Sequence, residues 1–161
     1  ETGESGCTIG DWIQITIDPT RKAKELQKII TNIIPATVYH EVNHIAREKH
    51  LGESKNLLEA VIAEGLADEF SKEQWPKFKA PWSIYNKKKL QPFLRNLRSE
   101  KSRERYSHSD WFFGTGKKPR WLGYKLGSYI VKSAKEKSNL TALKMTKMTA
   151  DKIVKLSGIL L

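Results

Sequence analysis

Cysteine and long apolar segments are scarce in this chain of 161 residues. A single cysteine, Cys7, excludes an internal disulfide and favours a reducing compartment, for which we expect the cytoplasm. No apolar run approaches the roughly 18 residues that a membrane-spanning helix needs, so we expect no membrane partner. The first residue is glutamate and no basic-then-apolar leader follows it. We therefore expect that a signal peptide is absent or has been removed.

Acidic residues are outnumbered, with 18 Asp and Glu against 29 Lys and Arg, which gives a net charge of +11. Many of the cations lie between residues 77 and 120. Such charge suits an anionic partner, nucleic acid included, but more often it is a solvated surface that keeps a domain soluble. Hydrophobic residues make up 39% of the chain and can fill a core, which excludes wholesale disorder.

Helical patterns dominate the chain, and only one strand is clear. Alternating β-branched residues predict a strand over 12–17, whereas the Gly, Ser and Thr of residues 1–11 predict a frayed entry. Caps and prolines predict helices over 19–34, 36–50, 55–72, 82–105, 120–137 and 150–156. The predicted fold class is mainly α, an α+β fold with little β. A lone strand is not stable by itself, so it must pair with something.

One helical segment, His40-Glu41-Val42-Asn43-His44, is an H-E-x-x-H motif. Residues four apart lie on one helical face, so both imidazoles can bind a single metal ion. Glu41 lies about a hundred degrees around the helix from His40, where it can hold a water molecule beside the metal. The motif alone arises by chance in such a chain on the order of once in a hundred. Two histidines on an ordinary amphipathic helix are the alternative.

The next helix carries two carboxylates, Glu64 and Asp68, within the otherwise largely apolar segment 57–68. An isolated buried carboxylate costs several kcal/mol unless it is paired or bound to a cation. A zinc ion with its imidazoles is one such positive partner. Gly65, between the two carboxylates, costs about 1 kcal/mol in a helix interior, which is tolerable if it lets two helices approach closely.

H-E-x-x-H followed by E-x-x-x-D, with the Glu twenty positions after the second His, resembles the gluzincin metallopeptidases. The resemblance implies a zinc cofactor held by His40, His44 and Glu64, with Glu41 as the general base. It also implies that Asp68 accepts a hydrogen bond from the other ring nitrogen of a ligand histidine, His40 by preference. A peptide or protein is then the expected substrate.

Four blocks of the sequence resemble a narrower group, the YjaZ-like family of predicted zinc-dependent bacterial proteases. They are Tyr39–His44, Glu64–Ala67, Trp111–Gly114 and Trp121–Gly127. The likeness runs from about Gly10 to the C-terminus. It implies that residues 1–161 form one zincin-like catalytic domain, or the C-terminal part of one. The N-terminal portion of that family, which contributes more sheet, is expected to lie outside this chain.

His50 is a rival third ligand, since it lies six residues after His44, where metzincins place their third histidine. In that motif a glycine breaks the helix, but here the position is Arg47. Residues 46–49 are good helix formers and would carry His50 away from the metal. The sequence therefore favours Glu64 over His50.

An oxyanion that forms during hydrolysis needs a hydrogen-bond donor. Tyr124 is the first candidate, because its block resembles that of the YjaZ-like family and begins a predicted helix. Ordinary packing of Tyr124 is the alternative. His108, in a loop with Asp110, is the second candidate.

The function predicted from these residues is that of a zinc metallopeptidase. One alternative is a basic module that binds single-stranded nucleic acid with aromatic residues interleaved among the cations. Those aromatics are Trp75, Phe78, Trp82, Tyr85 and Trp111. The lack of a recognition motif makes nucleic acid the weaker prediction without excluding it. A second alternative is a zinc-stabilised fold without turnover.

Overall fold

The computed structural model describes residues 2–161 and begins with a β-hairpin. Strands β1 (Glu4–Ile9) and β2 (Trp12–Ile17) pair antiparallel, with Glu4 opposite Ile17 and Ile9 opposite Trp12. The predicted strand over 12–17 is confirmed, but the frayed entry is wrong over residues 4–9. The small residues of β1 have weak strand propensity, so the ladder to β2 and not local preference makes them a strand. The prediction of a single strand is corrected accordingly.

Helices make up most of the remaining chain, which confirms the mainly α fold class. They are α1 (Ala23–Lys28), α2 (Ile34–Leu51), α3 (Leu57–Gln74), α4 (Lys87–Glu100), α5 (Leu122–Ser138), α6 (Ala142–Met145) and α7 (Ala150–Ser157). Within residues 2–161, no helix combines the length and the apolar character that crossing a membrane requires.

Several helix ends differ from prediction because side chains other than the expected ones cap them. Asn56 caps α3 by accepting a hydrogen bond from the backbone N–H of Glu59, so the helix begins at Leu57 and not at residue 55. Asn86 caps α4, which therefore starts at Lys87 and not at residue 82. The helix ends at Glu100 and not at residue 105. Thr149 caps α7, which begins at Ala150 as predicted.

The chain also enters α2 without the predicted break. A π-helical turn over Ile29–Ile33 leads directly into α2, and Pro35 lies in the first turn of that helix. Proline is favoured at the first positions of an α-helix, so Pro35 fits the start of α2 without separating it from the π-helical turn. The H-E-x-x-H segment consequently lies in the interior of α2.

Helix α3 is the centre of the fold and packs between α2 and α5. Its crossing with α5 depends on two glycines, Gly65 and Gly127. A Cβ atom on Gly127 would overlap the carbonyl oxygen of Val61 and lie 2.9 Å from the backbone nitrogen of Gly65. The predicted close approach of helices at Gly65 is thus confirmed. The fully buried side chains of this crossing include Val61, Ile62, Leu66, Leu122, Leu126 and Ile130.

Polar contacts at the far end of α3 hold it against both neighbours. The Ser71 hydroxyl donates to the carbonyl of Ala36 on α2 over 2.7 Å. The Lys135 ammonium on α5 pairs with Glu69 at 3.0 Å and Glu73 at 2.6 Å. These contacts oppose rotation of α3 about its axis, so Glu64 and Asp68 stay turned toward α2.

Candidate metal centre

Three side chains of the kinds that bind metals meet between α2 and α3. His40 and His44 lie one turn apart on α2, and Glu64 faces them from α3. The Nε2 atoms of the two histidines are 3.0 Å apart. The Glu64 Oε2 atom is 3.1 Å from Nε2 of His40 and 3.5 Å from Nε2 of His44. The structure thus brings together the three residues that the sequence predicts as ligands.

The chemistry of this donor set fits zinc. Two imidazole nitrogens and a carboxylate oxygen are one of the three-residue sets that bind catalytic zinc and leave a fourth position open. Ligand atoms about 2.0–2.1 Å from a zinc ion at tetrahedral angles lie roughly 3.4 Å from one another. The three separations here, 3.0, 3.1 and 3.5 Å, are close to that value.

The charges around His40 and Glu64 also favour a bound cation. Burial disfavours a charged His40, yet its hydrogen bonds to Asp68 and Glu64 outweigh that effect and raise its pKa well above the ordinary value. Burial likewise opposes ionisation of Glu64, but the histidines lower the pKa of its carboxyl. A divalent cation would provide the positive charge that a proton on His40 provides without metal.

Asp68 lies behind His40 and is almost completely buried, with 3% of its surface exposed. Its Oδ1 atom is 3.2 Å from Nδ1 of His40. The same oxygen accepts a hydrogen bond from Nε1 of Trp82 at 3.0 Å, and Oδ2 accepts one from the Ser128 hydroxyl at 3.0 Å. The carboxylate therefore contacts the ring nitrogen of His40 that points away from the group of three.

Glu41 follows His40 on α2 and lies outside the group of three. Only 6% of its surface is exposed, and burial raises the pKa of its carboxyl despite the two neighbouring histidines. Gly6 on β1 passes directly over it, and a Cβ atom there would lie 3.1 Å from Oε1 of Glu41. A side chain at this position would clash with Thr37, so glycine is what lets β1 approach the Glu41 carboxylate this closely.

A cleft of about 700 Å³ opens beside His40 and Glu41. The hairpin forms one wall, with residues 2–6 and 16–17. The opposite wall is aromatic and comprises Phe78, Trp82, Phe113, Trp121 and Tyr124. A segment of extended peptide could lie between these walls, next to His40 and Glu41, while His44 and Glu64 line a smaller cavity.

The family of the chain is now clear from sequence comparison. Residues 1–155 match the family described as a predicted Zn-dependent protease (DUF2268). The chain belongs to this family. Its name implies zinc dependence and protease activity, in agreement with the donor set of His40, His44 and Glu64. No curated protein and no solved structure matches the chain significantly.

The two candidate oxyanion donors line different cavities. Tyr124 lines the large cleft together with His40 and Glu41. Burial, followed by the nearby Glu64 and Asp68 carboxylates, raises the pKa of the Tyr124 hydroxyl, which therefore keeps its proton. His108 is exposed and lines a smaller cavity of about 210 Å³ with His44 and Glu64.

His50 is not brought to the ligand group. It lies exposed at the end of α2, which continues as a helix through Leu51. Arg47, at the position of the metzincin glycine, is buried and donates to the carbonyls of Thr146 at 2.9 Å and Met148 at 2.8 Å. These bonds hold the helix end against the C-terminal turns.

The aromatic residues that suggested nucleic-acid binding have other contacts. Trp111 is 1% exposed. The indole of Trp75 donates to the carbonyl of Asn32 at 3.0 Å, and Trp82 donates to Asp68. Tyr85 packs against Tyr129. The structure therefore gives the nucleic-acid alternative no added support.

Sequence reasoning missed three contributors to the site, namely Gly6, Trp82 and Ser128. Gly6 belongs to the strand that was not predicted. Trp82 lies in a single 3-10 turn, Pro81–Ser83, where no periodicity indicates direction. Ser128 is a small polar residue on an amphipathic helix, and its only sequence signal is its place on the apolar face of α5.

Proposed function

We propose that this chain is a gluzincin-type zinc metallopeptidase that hydrolyses peptide bonds in the large cleft. Residues 1–161 would form a zincin-like catalytic domain, or the C-terminal part of one. The observation that carries the proposal is the convergence of His40, His44 and Glu64, with Asp68 behind them and Glu41 beside them in the cleft.

His40, His44 and Glu64 would hold the zinc ion. When bound, zinc supplies a Lewis acid that polarises the peptide carbonyl and makes a water molecule more acidic. Asp68 would keep a proton on Nδ1 of His40, so the lone pair on Nε2 stays available to the metal. The bond between Asp68 and His40 therefore sets both the tautomer and the orientation of the ring.

Glu41 would act as the general base. Its carboxylate accepts a proton from the attacking water and then delivers that proton to the leaving amine. Burial shields this exchange from bulk solvent, and the large cleft that Glu41 lines would admit the water and the scissile bond.

The hairpin would bind the substrate backbone. By analogy with gluzincins, a strand beside the active-site helix can pair with an extended peptide. Of the two strands, β1 has the more extensive contact with α2, and its Gly6 neighbours Glu41. We therefore assign this role to β1.

The ligand assignment is tested by zinc content. We expect the parent protein to bind one zinc per chain and Glu64→Ala to lose it, because the site keeps only two ligands. His50→Ala, the matched control at the exposed end of α2, should retain a full equivalent. Mass spectrometry of protein dialysed against a weak chelator measures the stoichiometry. Zinc retained by Glu64→Ala and lost by His50→Ala would reverse the assignment.

The oxyanion donor is tested by removing a single hydroxyl. Tyr124→Phe should lower kcat about a hundred-fold with little change in KM, because the donor acts on charge that develops only in the transition state. His108→Ala is the comparison, and there we expect only a small change. Steady-state cleavage of a fluorogenic peptide separates the two constants. An unchanged kcat in Tyr124→Phe would remove Tyr124 from the mechanism.

A further inference from the structure

The buried carboxylate of Asp68 serves three donors and not only the histidine. Its Oδ1 atom is shared between Nδ1 of His40 at 3.2 Å and Nε1 of Trp82 at 3.0 Å, while Ser128 occupies Oδ2 at 3.0 Å. A carboxylate offers about four lone-pair directions, so most of its hydrogen-bonding capacity is used. These bonds restrict rotation of the carboxylate about its Cβ–Cγ bond.

Trp82 brings its donor from outside the helices that carry the other site residues. It lies in the 3-10 turn between α3 and α4, and its ring is partly buried. Ring centroids of Trp121 and Tyr124 lie 6.2 Å from its own, and that of Phe78 lies 6.4 Å away. Packing from three sides holds the indole and so aims its N–H at Asp68.

The bond has a direct consequence for His40. The indole N–H and the imidazole N–H meet the same oxygen, so the position of the indole helps to determine where that oxygen lies relative to the imidazole. Without this donor, a nearly fully buried acceptor would lose a partner, and the carboxylate could rotate away from Nδ1 of His40.

We propose that Trp82 is a positioning residue for the metal centre, acting on His40 through Asp68. The proposal rests on the zinc site proposed above. Trp82 also lines the cleft. The same side chain would therefore face a bound peptide and support a zinc ligand. Disturbing this indole therefore changes metal affinity as well as the shape of the cleft.

The test compares two tryptophans that each donate one indole hydrogen bond. Trp82→Phe keeps an aromatic ring but removes the donor to Asp68. Trp75→Phe makes the same chemical change where the acceptor is the carbonyl of Asn32, at the same 3.0 Å distance. Zinc affinity is measured by competition with a chromophoric chelator, which needs no substrate.

We expect Trp82→Phe to weaken zinc binding about tenfold, the lower end of the effect of removing an outer partner of a metal ligand. The zinc affinity of Trp75→Phe should stay within about twofold of that of the parent protein, because the hydrogen bond of Trp75 does not reach Asp68 and distant sites act independently. Equal zinc affinity of folded Trp82→Phe and parent protein overturns the proposal. Absence of zinc binding in the parent instead overturns the proposed function, so the two failures are distinct.

A second measurement uses the parent protein and does not depend on the folding of a variant. Zinc binding to His40 should polarise its Nδ1–H and strengthen the bond to the shared oxygen of Asp68. The NMR signal of the Trp82 indole N–H should therefore move on zinc addition, and that of Trp75 should not. A Trp82 signal that moves no more than the Trp75 signal contradicts the proposal.

Discussion

Replacement of Glu41 by glutamine is expected to lower the rate of peptide hydrolysis about a thousand-fold while the protein keeps its zinc. Glutamine nearly reproduces the shape of glutamate but cannot take the proton from water. Glu41 lies outside the group of three ligand-type side chains, so its loss of charge leaves all three in place. Mass spectrometry of a digested peptide mixture, with zinc content measured on the same samples, gives both quantities.

A matched control makes the same change away from the cleft. Glu136→Gln replaces an exposed glutamate on α5 and should leave cleavage unchanged. Equal rates in the parent and Glu41→Gln would contradict the general-base role. If zinc is bound but neither protein cleaves any peptide, the zinc-stabilised fold without turnover becomes the better description.

Replacement of Gly127 by alanine should destabilise the fold by about 3 kcal/mol, at the upper end of the usual cost of overpacking. The added methyl group would overlap the backbone of α3 at Val61, and no rotamer change can relieve a clash between backbone and Cβ. Helices α3 and α5 would have to separate, and α3 carries Glu64 and Asp68. Urea denaturation of the metal-free protein measures the change in free energy of unfolding.

The control for this prediction is Gly10→Ala, at the turn of the hairpin. Gly10 has a φ of +58°, but a Cβ atom there meets nothing within 4 Å. Alanine should therefore cost only the roughly 1–2 kcal/mol of the left-handed backbone conformation. A Gly127→Ala protein as stable as the parent would show that α3 and α5 adjust more easily than the crossing indicates.

Trp121 lines the cleft and has an unusual backbone conformation. Its φ of 64° is in the left-handed region, which a bulky side chain seldom adopts. Arg120 lies 4.5 Å above its ring, and the Trp82 ring centroid is 6.2 Å away, so surrounding groups hold the side chain in place. Strained residues of this kind concentrate at functional sites, in agreement with a role for the aromatic wall.

Local spacing explains why much of the site could be predicted. Any helix places residues 40 and 44 on one face, whatever surrounds it. The carboxylates of Glu64 and Asp68 stood out because an apolar helix does not bury such groups without a partner. Helix ends were less predictable, since Asn56 and Asn86 compete as caps with neighbouring Ser and Pro signals.

Contacts between distant segments lie beyond such reasoning. Strand β1 exists because it pairs with β2 and packs on α2, and its own small residues do not favour a strand. Gly65 packs against Gly127, which lies 62 positions further along the chain. Trp82 reaches Asp68 from a segment with no periodic pattern.

By itself, the sequence determined the mainly helical fold class, the two histidines on one face of a helix and the need of Glu64 and Asp68 for positive charge. These follow from helical periodicity and from the cost of burying charge, which act within a few residues. Only the tertiary structure decided that Glu64 meets both histidines and His50 does not, and that the wall of the cleft supports Asp68. Those outcomes depend on how whole helices pack, and short-range preferences do not encode that packing.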